Sequence, residues 1–298
     1  MLDRIRPLAN TIVECREGAA GWRHAGVGLY VHWSASGHIS PMVVRQVAAW
    51  RACGFDMVFI TSATPSEAAL APILAESALV IRRANVGHDF AGWRDAMALL
   101  AARGHNPSEV LLANDSVLGP FQPLPPLVQM MREGGEGLFG MTESVAGGVH
   151  LQSYALLARG EVALATLRAH LAEIPNWRSK WRLVQAGEIG LTGRMRAAGL
   201  RCAALFGYAP LCALARPADL AALGARFTVP DALATYPLNP THHLWRLLLD
   251  VGFPFIKTEL VRRNPGRLPG VAQWGTMLTP EDRALAEEHL RIMALPAE

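Results

Sequence analysis

The chain has 298 residues, of which 51% are hydrophobic and 18% are charged, and 28 basic residues stand against 25 acidic ones. A folded chain of this length buries well over half of its surface, so the composition excludes a disordered, collagen-like or disulfide-framework protein. A formal charge of +3 spread over the whole chain is too weak to indicate a nucleic-acid partner. We expect one large domain.

Cysteine usage and the uncharged segments indicate the compartment. The four cysteines lie far apart without a CxxC pair, which disfavours a zinc site and fits a reducing compartment. The longest stretch without Asp, Glu, Lys or Arg, residues 24–44, contains three histidines and a proline, so it predicts no membrane span. Residues 1–10 lack the apolar core of a signal peptide. The expected location is therefore the cytoplasm.

Strand-like and helix-like segments alternate through the first half of the chain, which is typical of a parallel sheet with helices on its faces. Caps, glycines and prolines mark most of the boundaries. The predicted strands are residues 27–33, 57–60, 78–81 and 109–113, and the predicted helices are 41–53, 68–76 and 91–103. The fourth strand is apolar at its centre, so we expect it inside the sheet.

The second half of the chain is less regular. Four prolines between residues 120 and 126 forbid a continuous helix after the fourth strand. Residues 137–142 predict another strand, and a flexible glycine-rich segment follows at 146–148. Further helices are predicted at 161–172, 191–198 and 243–251. There is no internal repeat and no linker long enough to separate two independent domains.

Three polar clusters follow predicted strands, where an open parallel sheet binds its ligands. They are residues 34–40, 85–89 and 114–116. In the third cluster, Asn114, Asp115 and Ser116 present oxygen ligands of the kind that suit Mg²⁺ or Mn²⁺. The alternative is an Asx turn in which Asp115 caps the chain that follows.

The second cluster also allows two interpretations. Gly87 permits close approach of the backbone to a ligand, and Asp89 precedes a helix whose N-terminal N–H groups suit an anion. Alternatively, Asp89 is simply the N-cap of that helix. Arg94, one turn into the helix, is able to turn either to phosphate or to solvent.

Ordered motifs along the chain carry a resemblance to a known family. They are Asn85-Val-Gly-His-Asp-Phe-Ala-Gly-Trp-Arg94, Leu112-Ala-Asn-Asp-Ser-Val-Leu-Gly-Pro120, His150-Leu-Gln-Ser-Tyr154, Asn239-Pro-Thr-His-His-Leu-Trp245, Gly252-Phe-Pro-Phe-Ile-Lys-Thr-Glu-Leu260 and Asn264-Pro265. Taken together over residues 27–265, they resemble the rhamnan synthesis F family of bacterial polysaccharide glycosyltransferases. Each motif is weak alone, whereas the ordered set is specific.

The resemblance implies a GT-A-like α/β fold, with a Rossmann-type, mostly parallel central sheet flanked by helices and a helical C-terminal part. It implies a nucleoside-diphosphate sugar as the donor, with rhamnose or another deoxyhexose as the expected sugar, and a glycan or lipid-linked glycan as the acceptor. It divides the single domain into a nucleotide-sugar-binding half (27–145), an acceptor and catalytic half (146–265) and a C-terminal tail (266–298).

The resemblance also assigns donor-binding residues. GT-A enzymes usually hold a divalent cation with an Asp-x-Asp motif, of which only one carboxylate is present here. Asp115 is therefore the expected ligand of Mg²⁺ or Mn²⁺, assisted by Asn114 and Ser116. The residues expected to contact the base, ribose or diphosphate are Asn85, Gly87, Asp89, Arg94 and Lys257.

An inverting transfer needs a group that deprotonates the acceptor hydroxyl, and a carboxylate is the usual choice. Gly187-Glu188-Ile-Gly-Leu191 resembles the acidic segment that supplies this base in many inverting GT-A enzymes. Glu188 is therefore the candidate base. The alternative is that Glu188 lies near a helix start, where its negative charge interacts favourably with the helix macrodipole. A retaining enzyme would not need Glu188 in this role.

The remaining site predictions concern histidines, cations and polar residues. By resemblance, His242 is a candidate metal ligand, although adjacent histidines point to different faces and a helix cap at 239–241 is the alternative. Lys257 and Arg262 lie in a segment able to close over the diphosphate. Contact with acceptor or donor sugar is expected for His150, Gln152 and Ser153, with burial at the sheet edge as the alternative.

Residues 176–182 interleave tryptophans with cations, a pattern that fits peripheral contact with an anionic inner-membrane surface, or stacking on sugars. We favour inward packing of Trp177 and Trp181, which are spaced i and i+4. Two rival functions stay open. One is a non-catalytic nucleotide- or glycan-binding subunit of a polysaccharide assembly complex. The other is a phosphate-ester hydrolase, which the absence of an Asp-x-Asp pair after the first strand disfavours.

Overall fold

The computed structural model describes residues 11–177, 179–224, 227 and 236–296. The strands within these ranges are β1 (Ile12–Glu17), β2 (Gly26–His32), β3 (Phe55–Thr61), β4 (Leu79–Arg83), β5 (Glu109–Asn114), β6 (Val117–Leu118), β7 (Gly137–Ser144), β8 (His150–Leu151), β9 (Ala155–Arg159), β10 (Arg201–Phe206) and β11 (Ile256–Lys257).

The helices of the same ranges surround these strands. They are α1 (Pro41–Ala52), α2 (Glu67–Glu76), α3 (His88–Ala102), α4 (Pro125–Glu133), α5 (Glu161–Glu173), α6 (Lys180–Leu183), a π-helical segment (Val184–Ile189), α7 (Gly190–Ala197), α8 (Tyr208–Leu214), α9 (Pro217–Leu223), α10 (Pro240–His243), α11 (Trp245–Asp250), α12 (Thr258–Arg263), a 3₁₀ helix (Val271–Met277) and α13 (Pro280–Met293).

The central sheet has the strand order β1-β4-β3-β2-β5-β9-β7-β10, and β8 pairs with β7. Strands β4, β3, β2 and β5 run parallel, whereas β1 and β9 are antiparallel to their neighbours. The chain first moves outward from β2 to β4 and then returns through α3 to β5 on the other side of β2. This reversal creates a switch point between β2 and β5, where open α/β sheets bind ligands at the carboxyl ends of the strands.

The apolar strands explain why helices cover both faces of the sheet. Every residue of β2, β3 and β5 is buried. Their side chains alternate between two cores, with Leu111 and Ala113 of β5 in one and Val110 and Leu112 in the other. The predicted fold class, a mostly parallel α/β sheet flanked by helices with a helical C-terminal region, is confirmed.

The first helix follows its sequence signals closely. Ser40 is the N-cap of α1 and its hydroxyl accepts a hydrogen bond from the Val43 N–H at 3.4 Å, while Pro41 occupies the first turn. Proline is tolerated at that position because the first N–H groups of a helix have no partner within it. The same rule explains α4, which begins at Pro125 and Pro126 within the proline-rich segment.

Two of the predicted helices differ in extent from the helices of the structure. The helix predicted at 191–198 is the end of a longer helical run that begins at Lys180 and passes through the π-helical segment. The helix predicted at 243–251 is divided into α10 and α11, because Leu244 leaves the helical conformation between them. Strands β1, β9 and β10 were not predicted. Strands β1 and β10 are partly exposed, and an apolar run as short as β9 does not distinguish a strand from a helix by its periodicity.

The C-terminal segment packs back on the first half of the chain. Helix α13 contacts α1, and the Ser40 hydroxyl lies 2.6 Å from Nδ1 of the buried His289. A two-stranded sheet of β11 and β6 places Lys257 opposite Val117. Within residues 11–177, 179–224, 227 and 236–296, no helix is long and apolar enough to cross a membrane. The proposed division of the domain at residues 145 and 265 stays a prediction.

Candidate functional site

A cavity of about 520 Å³ opens beside the carboxyl ends of β2 and β5, at the switch point of the sheet. Most of the predicted site residues line this cavity although they are widely separated in the sequence. They are Asp89, Asn114, Asp115, Ser116, His150, Gln152, Ser153, Glu188, His242 and Lys257. A volume of this size suits a small-molecule ligand with a few polar groups that fix its orientation.

The end of β5 forms an Asx turn, but Asn114 makes it rather than Asp115. The Asn114 Oδ1 accepts hydrogen bonds from the Ser116 N–H at 3.1 Å and the Ser116 hydroxyl at 2.5 Å. The Asp115 Oδ2 instead accepts a hydrogen bond from the Trp33 N–H at 2.9 Å, which ties the end of β5 to the end of β2. The turn therefore fixes the polar side chains at the switch point.

Asp89 and Asp115 are two acidic groups on adjacent elements. Asp89 accepts a hydrogen bond from Nδ2 of Asn114 at 2.8 Å and lies in the first turn of α3, whose N-cap is Gly87. Asp89 is thus not the N-cap. Burial raises the pKa of Asp89, and burial together with the charge of Asp89 raises the pKa of Asp115 to about 7. A carboxyl group with a perturbed pKa in a cleft is a functional-site candidate.

Glu188 lies inside the π-helical segment, in the middle of a helical run and not at a helix start, so the dipole interpretation is wrong. Its Oε1 accepts hydrogen bonds from the Ser153 hydroxyl at 2.6 Å and the Ser153 N–H at 3.2 Å. Its Oε2 lies 3.5 Å from Nε2 of His150. Burial alone would raise the Glu188 pKa, but these contacts outweigh burial and lower it. Glu188 is held as an oriented carboxylate.

His150 and Gln152 complete the polar surface around Glu188. His150 is buried, and its Nδ1 lies 2.7 Å from the Gly148 carbonyl. Burial would lower the His150 pKa, but contacts with Glu188 and Gly148 raise it overall. The Oε1 of Gln152 accepts a hydrogen bond from the Thr142 hydroxyl at 2.7 Å. These polar side chains line the same cavity as the oriented carboxylate.

Cations reach the cavity from the C-terminal part of the chain. The Lys257 Nζ donates a hydrogen bond to the Ser116 hydroxyl at 2.8 Å and lies 4.6 Å from the centre of the Tyr154 ring. Arg262 and Arg263, at the end of α12, also line the cavity. Arg262 Nη2 donates a hydrogen bond to the Met293 carbonyl at 3.4 Å, which connects this cation to the end of α13.

Three predicted residues lie away from the cavity lining. Asn85 is exposed. Arg94 is buried and donates hydrogen bonds to the Ile174 carbonyl at 2.7 Å and the Asn176 Oδ1 at 2.9 Å, besides its ion pair with Asp95. The structure therefore gives Arg94 a packing role in place of the predicted phosphate contact.

Gly87 matters for its backbone. It has a φ of +73°, and a Cβ there would lie 2.5 Å from the Cβ of Ala91 and 2.8 Å from the Asn176 Oδ1. Only glycine adopts this conformation at little cost, so the residue allows α3 to begin beside the cavity.

The predicted metal ligands form an incomplete set. His242 lines the cavity, whereas His243 Nδ1 accepts a hydrogen bond from the Asn239 N–H at 2.8 Å, so the two histidines serve different surroundings. In the described ranges there is no group of three or more His, Cys, Asp or Glu side chains able to hold a metal ion. Mg²⁺ also takes backbone, amide and water oxygens. The carboxylate and histidine ligands present in the described part nevertheless do not fit a protein-held metal site.

The tryptophan pair of residues 177 and 181 is divided between interior and surface. Trp177 packs partly buried against a core, and the Arg182 guanidinium lies 5.0 Å from its ring. Trp181 is 70% exposed, so the prediction that both rings pack inward is wrong for Trp181. The next residues of the helical run, Leu183 and Val184, line the cavity. Arg178 of this motif lies outside the described residues.

Some lining residues were not predicted from the sequence. His88, Asn239, Glu259 and Met293 all line the cavity. His88 has a positive φ of 53°, which is uncommon for a residue other than glycine. His88, Asn239 and Glu259 each lie within three positions of a predicted site residue, and this proximity was the signal available in the sequence. Met293 gave no signal, since α13 reaches the cavity only through tertiary packing.

The fold and site define an α/β protein with a polar cavity at the switch point of its sheet. The family model described as "Rhamnan synthesis protein F" matches residues 57–216, more than half of the chain. The chain therefore belongs to the rhamnan synthesis protein F family.

Two curated relatives show more distant similarity. "Uncharacterized protein y4gN" of Sinorhizobium fredii is 26% identical over 214 residues, which cover 70% of this chain and 54% of that protein. "Virulence protein VirA" of Vibrio anguillarum is 27% identical over 208 residues, which cover 63% of this chain and 64% of that protein. The chain thus spans between about half and two thirds of the length of these relatives.

Proposed function

We propose that this protein is a glycosyltransferase that moves a sugar from a nucleoside-diphosphate donor to a bacterial surface polysaccharide. The observation that carries the proposal is the shared cavity, in which an oriented carboxylate, Glu188, and the cations Lys257, Arg262 and Arg263 meet at the switch point. A transferase of this kind needs a group that accepts a proton and groups that stabilise a departing diphosphate. Family membership supports the same reaction class.

In the proposed reaction, the acceptor hydroxyl oxygen attacks the anomeric carbon of the donor sugar. The bond from that carbon to the diphosphate oxygen breaks, and its electron pair leaves with the nucleoside diphosphate. Glu188 accepts the hydroxyl proton in an inverting reaction, and its contacts with Ser153 and His150 hold it in the ionised form that is required. Cations near the diphosphate stabilise the charge that develops there.

The remaining site residues receive roles by position. Asp89 and the Asn114–Ser116 turn lie at the strand ends, where they are suited to the donor's ribose and sugar hydroxyls. His150, Gln152 and Ser153 are suited to acceptor or donor sugar. Rhamnose or another deoxyhexose is our proposed sugar, on the strength of the family. The exposed Trp181 supports contact with a glycan or lipid-linked acceptor, at the cytoplasmic face of the inner membrane.

A thermal-shift screen tests the proposal. UDP, dTDP, GDP and CDP would each be added with and without Mn²⁺, and the diphosphate that raises the melting temperature identifies the donor nucleotide. Transfer or hydrolysis of the matching nucleotide sugar would then be followed by chromatography. No shift with any nucleoside diphosphate, under either condition, would contradict the proposed function.

A second candidate function is a non-catalytic nucleotide- or glycan-binding subunit. It is favoured by the strand-end turn, because Asn114 stands where the first aspartate of an Asp-x-Asp motif would be and its carbonyl oxygen is turned to Ser116. Binding of a nucleoside diphosphate without any turnover of its sugar derivatives would support this second function.

A further inference from the structure

The ammonium group of Lys257 lies where a cation would meet the strand-end turn. Lys257 belongs to β11, which pairs with β6 directly after the Asn114–Ser116 turn, and the Thr258 N–H donates a hydrogen bond to the Ser116 carbonyl at 3.1 Å. This pairing brings Nζ to 2.8 Å from the Ser116 hydroxyl and over the Tyr154 ring. A cation over an aromatic face is stabilised by the ring quadrupole.

Three of the four side-chain oxygen atoms at this turn have hydrogen-bond partners. Asn114 Oδ1 accepts two hydrogen bonds from Ser116, and Asp115 Oδ2 accepts the Trp33 N–H. The Ser116 hydroxyl faces Lys257. A divalent cation that was held by the protein alone would need several oxygen ligands at this turn. Because the Lys257 ammonium group already lies at the Ser116 hydroxyl, the turn is better matched to that ammonium group than to a metal ion.

The choice of lysine is unusual for this chain. Lys180 and Lys257 are its only lysines among 28 basic residues, and the others are arginines. Lysine carries a compact point charge with three donors, whereas arginine carries a planar fork. A compact charge is the closer chemical substitute for a metal ion. Arg262 and Arg263 are the last two residues of α12, the helix that begins directly after Lys257, and they line the same cavity.

We infer that Lys257 takes the place of the divalent cation, so that Lys257, Arg262 and Arg263 bind the donor diphosphate without a metal ion. The inference rests on the proposed function and specifies how its site recognises the diphosphate. Lys257 lies within electrostatic reach of Asp89, Asp115 and Glu188 and offsets part of their negative charge. The two arginines supply the additional positive charge that a diphosphate requires.

Calorimetry with inorganic pyrophosphate, and with the nucleoside diphosphates UDP and dTDP, tests the inference in buffer that contains EDTA. We expect binding in EDTA, with an affinity that Mg²⁺ or Mn²⁺ does not improve. Lys257→Met should weaken the binding by at least about tenfold, because it removes a charged hydrogen-bond donor. Lys257→Arg should restore part of the affinity. Arg283→Met, which removes a cation from an exposed ion pair with Glu287 outside the cavity lining, is the control that should leave the affinity unchanged.

Amine labelling gives a second measurement on the unmodified chain. Because the chain has only two lysines, acetylation followed by mass spectrometry reports each side chain separately. Pyrophosphate in EDTA should lower the acetylation of Lys257.

The outcomes separate the two proposals. Nucleoside diphosphate binding that requires Mn²⁺ or Mg²⁺, or that survives in Lys257→Met at full affinity in a folded variant, would overturn the inference and leave the proposed function standing. Absence of binding by every diphosphate, with and without metal, would overturn both. Metal-independent binding that is lost in Lys257→Met and partly restored in Lys257→Arg supports both.

Discussion

Two regions of the molecule build the cavity in different ways. The strand-end cluster is defined as Asp89, Asn114, Asp115 and Ser116. Asp89 lies in the first turn of α3, and the other three residues lie at the end of β5, a strand that is buried along its whole length. The C-terminal cations, defined as Lys257, Arg262 and Arg263, are attached to a strand of two residues and a helix of six.

The two regions also carry opposite charge, and their supports differ. Hydrogen bonds among Asp89, Asn114 and Ser116 fix the strand-end cluster internally. The C-terminal cations depend on contacts with distant elements, including β6 and the end of α13. The comparison shows that the acidic group is placed by the sheet itself, whereas the basic group is placed by the docking of the C-terminal segment. The two should therefore respond differently to mutation and to pH.

The largest expected effect follows replacement of the oriented carboxylate. Glu188→Gln keeps the side-chain shape and an acceptor for Ser153, but removes the proton acceptor. We expect kcat to fall by about 100-fold or more, with nucleoside diphosphate affinity unchanged. Steady-state kinetics and calorimetry measure the two quantities. Glu173→Gln, at an exposed ion pair, is the matched control. A variant with full activity would remove Glu188 from the mechanism.

Asp115→Asn should have opposite effects on activity and stability. The folded pKa of Asp115 is about 7, above its ordinary value of 3.8, so this group's stabilising contribution is present below pH 4 and is lost as the pH rises through 7. Asparagine carries no charge at any pH, so it removes this loss of stability, and its side-chain oxygen still accepts a hydrogen bond from the Trp33 N–H. We expect the variant to melt at least about 2–4 °C above the wild type at pH 8, the shift that 1 kcal/mol produces in a large domain.

The same variant should lose donor binding or transfer, because the carboxylate of the strand-end cluster is removed. Melting curves at pH 4.5 serve as the control, since most of the gain in stability should be lost there. A variant that is less stable than the wild type at pH 8 would show that Asp115 is not a strained charge.

The C-terminal segment should show the opposite pH dependence. Burial lowers the pKa of His289 to about 4, and Ser40 and Arg262 are its neighbours. As the pH falls, His289 is therefore protonated in the unfolded chain at a higher pH than in the folded chain. The free energy of unfolding decreases as the pH falls from about 6.5 towards 4. His289→Gln should lower the melting temperature at pH 7.5 but reduce its decline between pH 7 and 5.

The control for this prediction is His38→Gln, because His38 is exposed. His32 also has a pKa lowered by burial, to about 3, so part of the acid sensitivity should persist in the His289 variant. Parallel curves of melting temperature against pH for wild type and His289→Gln would contradict the prediction.

The smallest effect is expected at Asn85, which the sequence predicts to contact the nucleotide. Because Asn85 is exposed and does not line the cavity, Asn85→Ala should change stability by less than about 0.5 kcal/mol and leave nucleoside diphosphate affinity unchanged. Calorimetry with the nucleoside diphosphate that the thermal-shift screen selects would measure this affinity. A clear loss of affinity would mean that the cavity extends to the loop before α3 when the donor is bound.

Local patterns were sufficient for the sheet that supports the strand-end cluster. Apolar runs with caps and turns at their ends predicted β2, β3, β4 and β5 to within about two residues, and hence the position of Asp115 after the last of them. The half of the sheet beyond β5 was harder, because β9 and β10 pair with strands distant in sequence. Their stability comes from those partners and not from their own periodicity.

The sequence by itself determined the α/β class, the polar residues at the strand ends and, through ordered motifs, the family. Only the tertiary structure decided which of those residues share a cavity. It excluded Arg94, which is buried against Ile174, and placed Lys257 beside Ser116 across 141 positions of chain. The physical reason is that strand ends follow from local periodicity, whereas the partner of a charge depends on long-range pairing and docking, which no local pattern records.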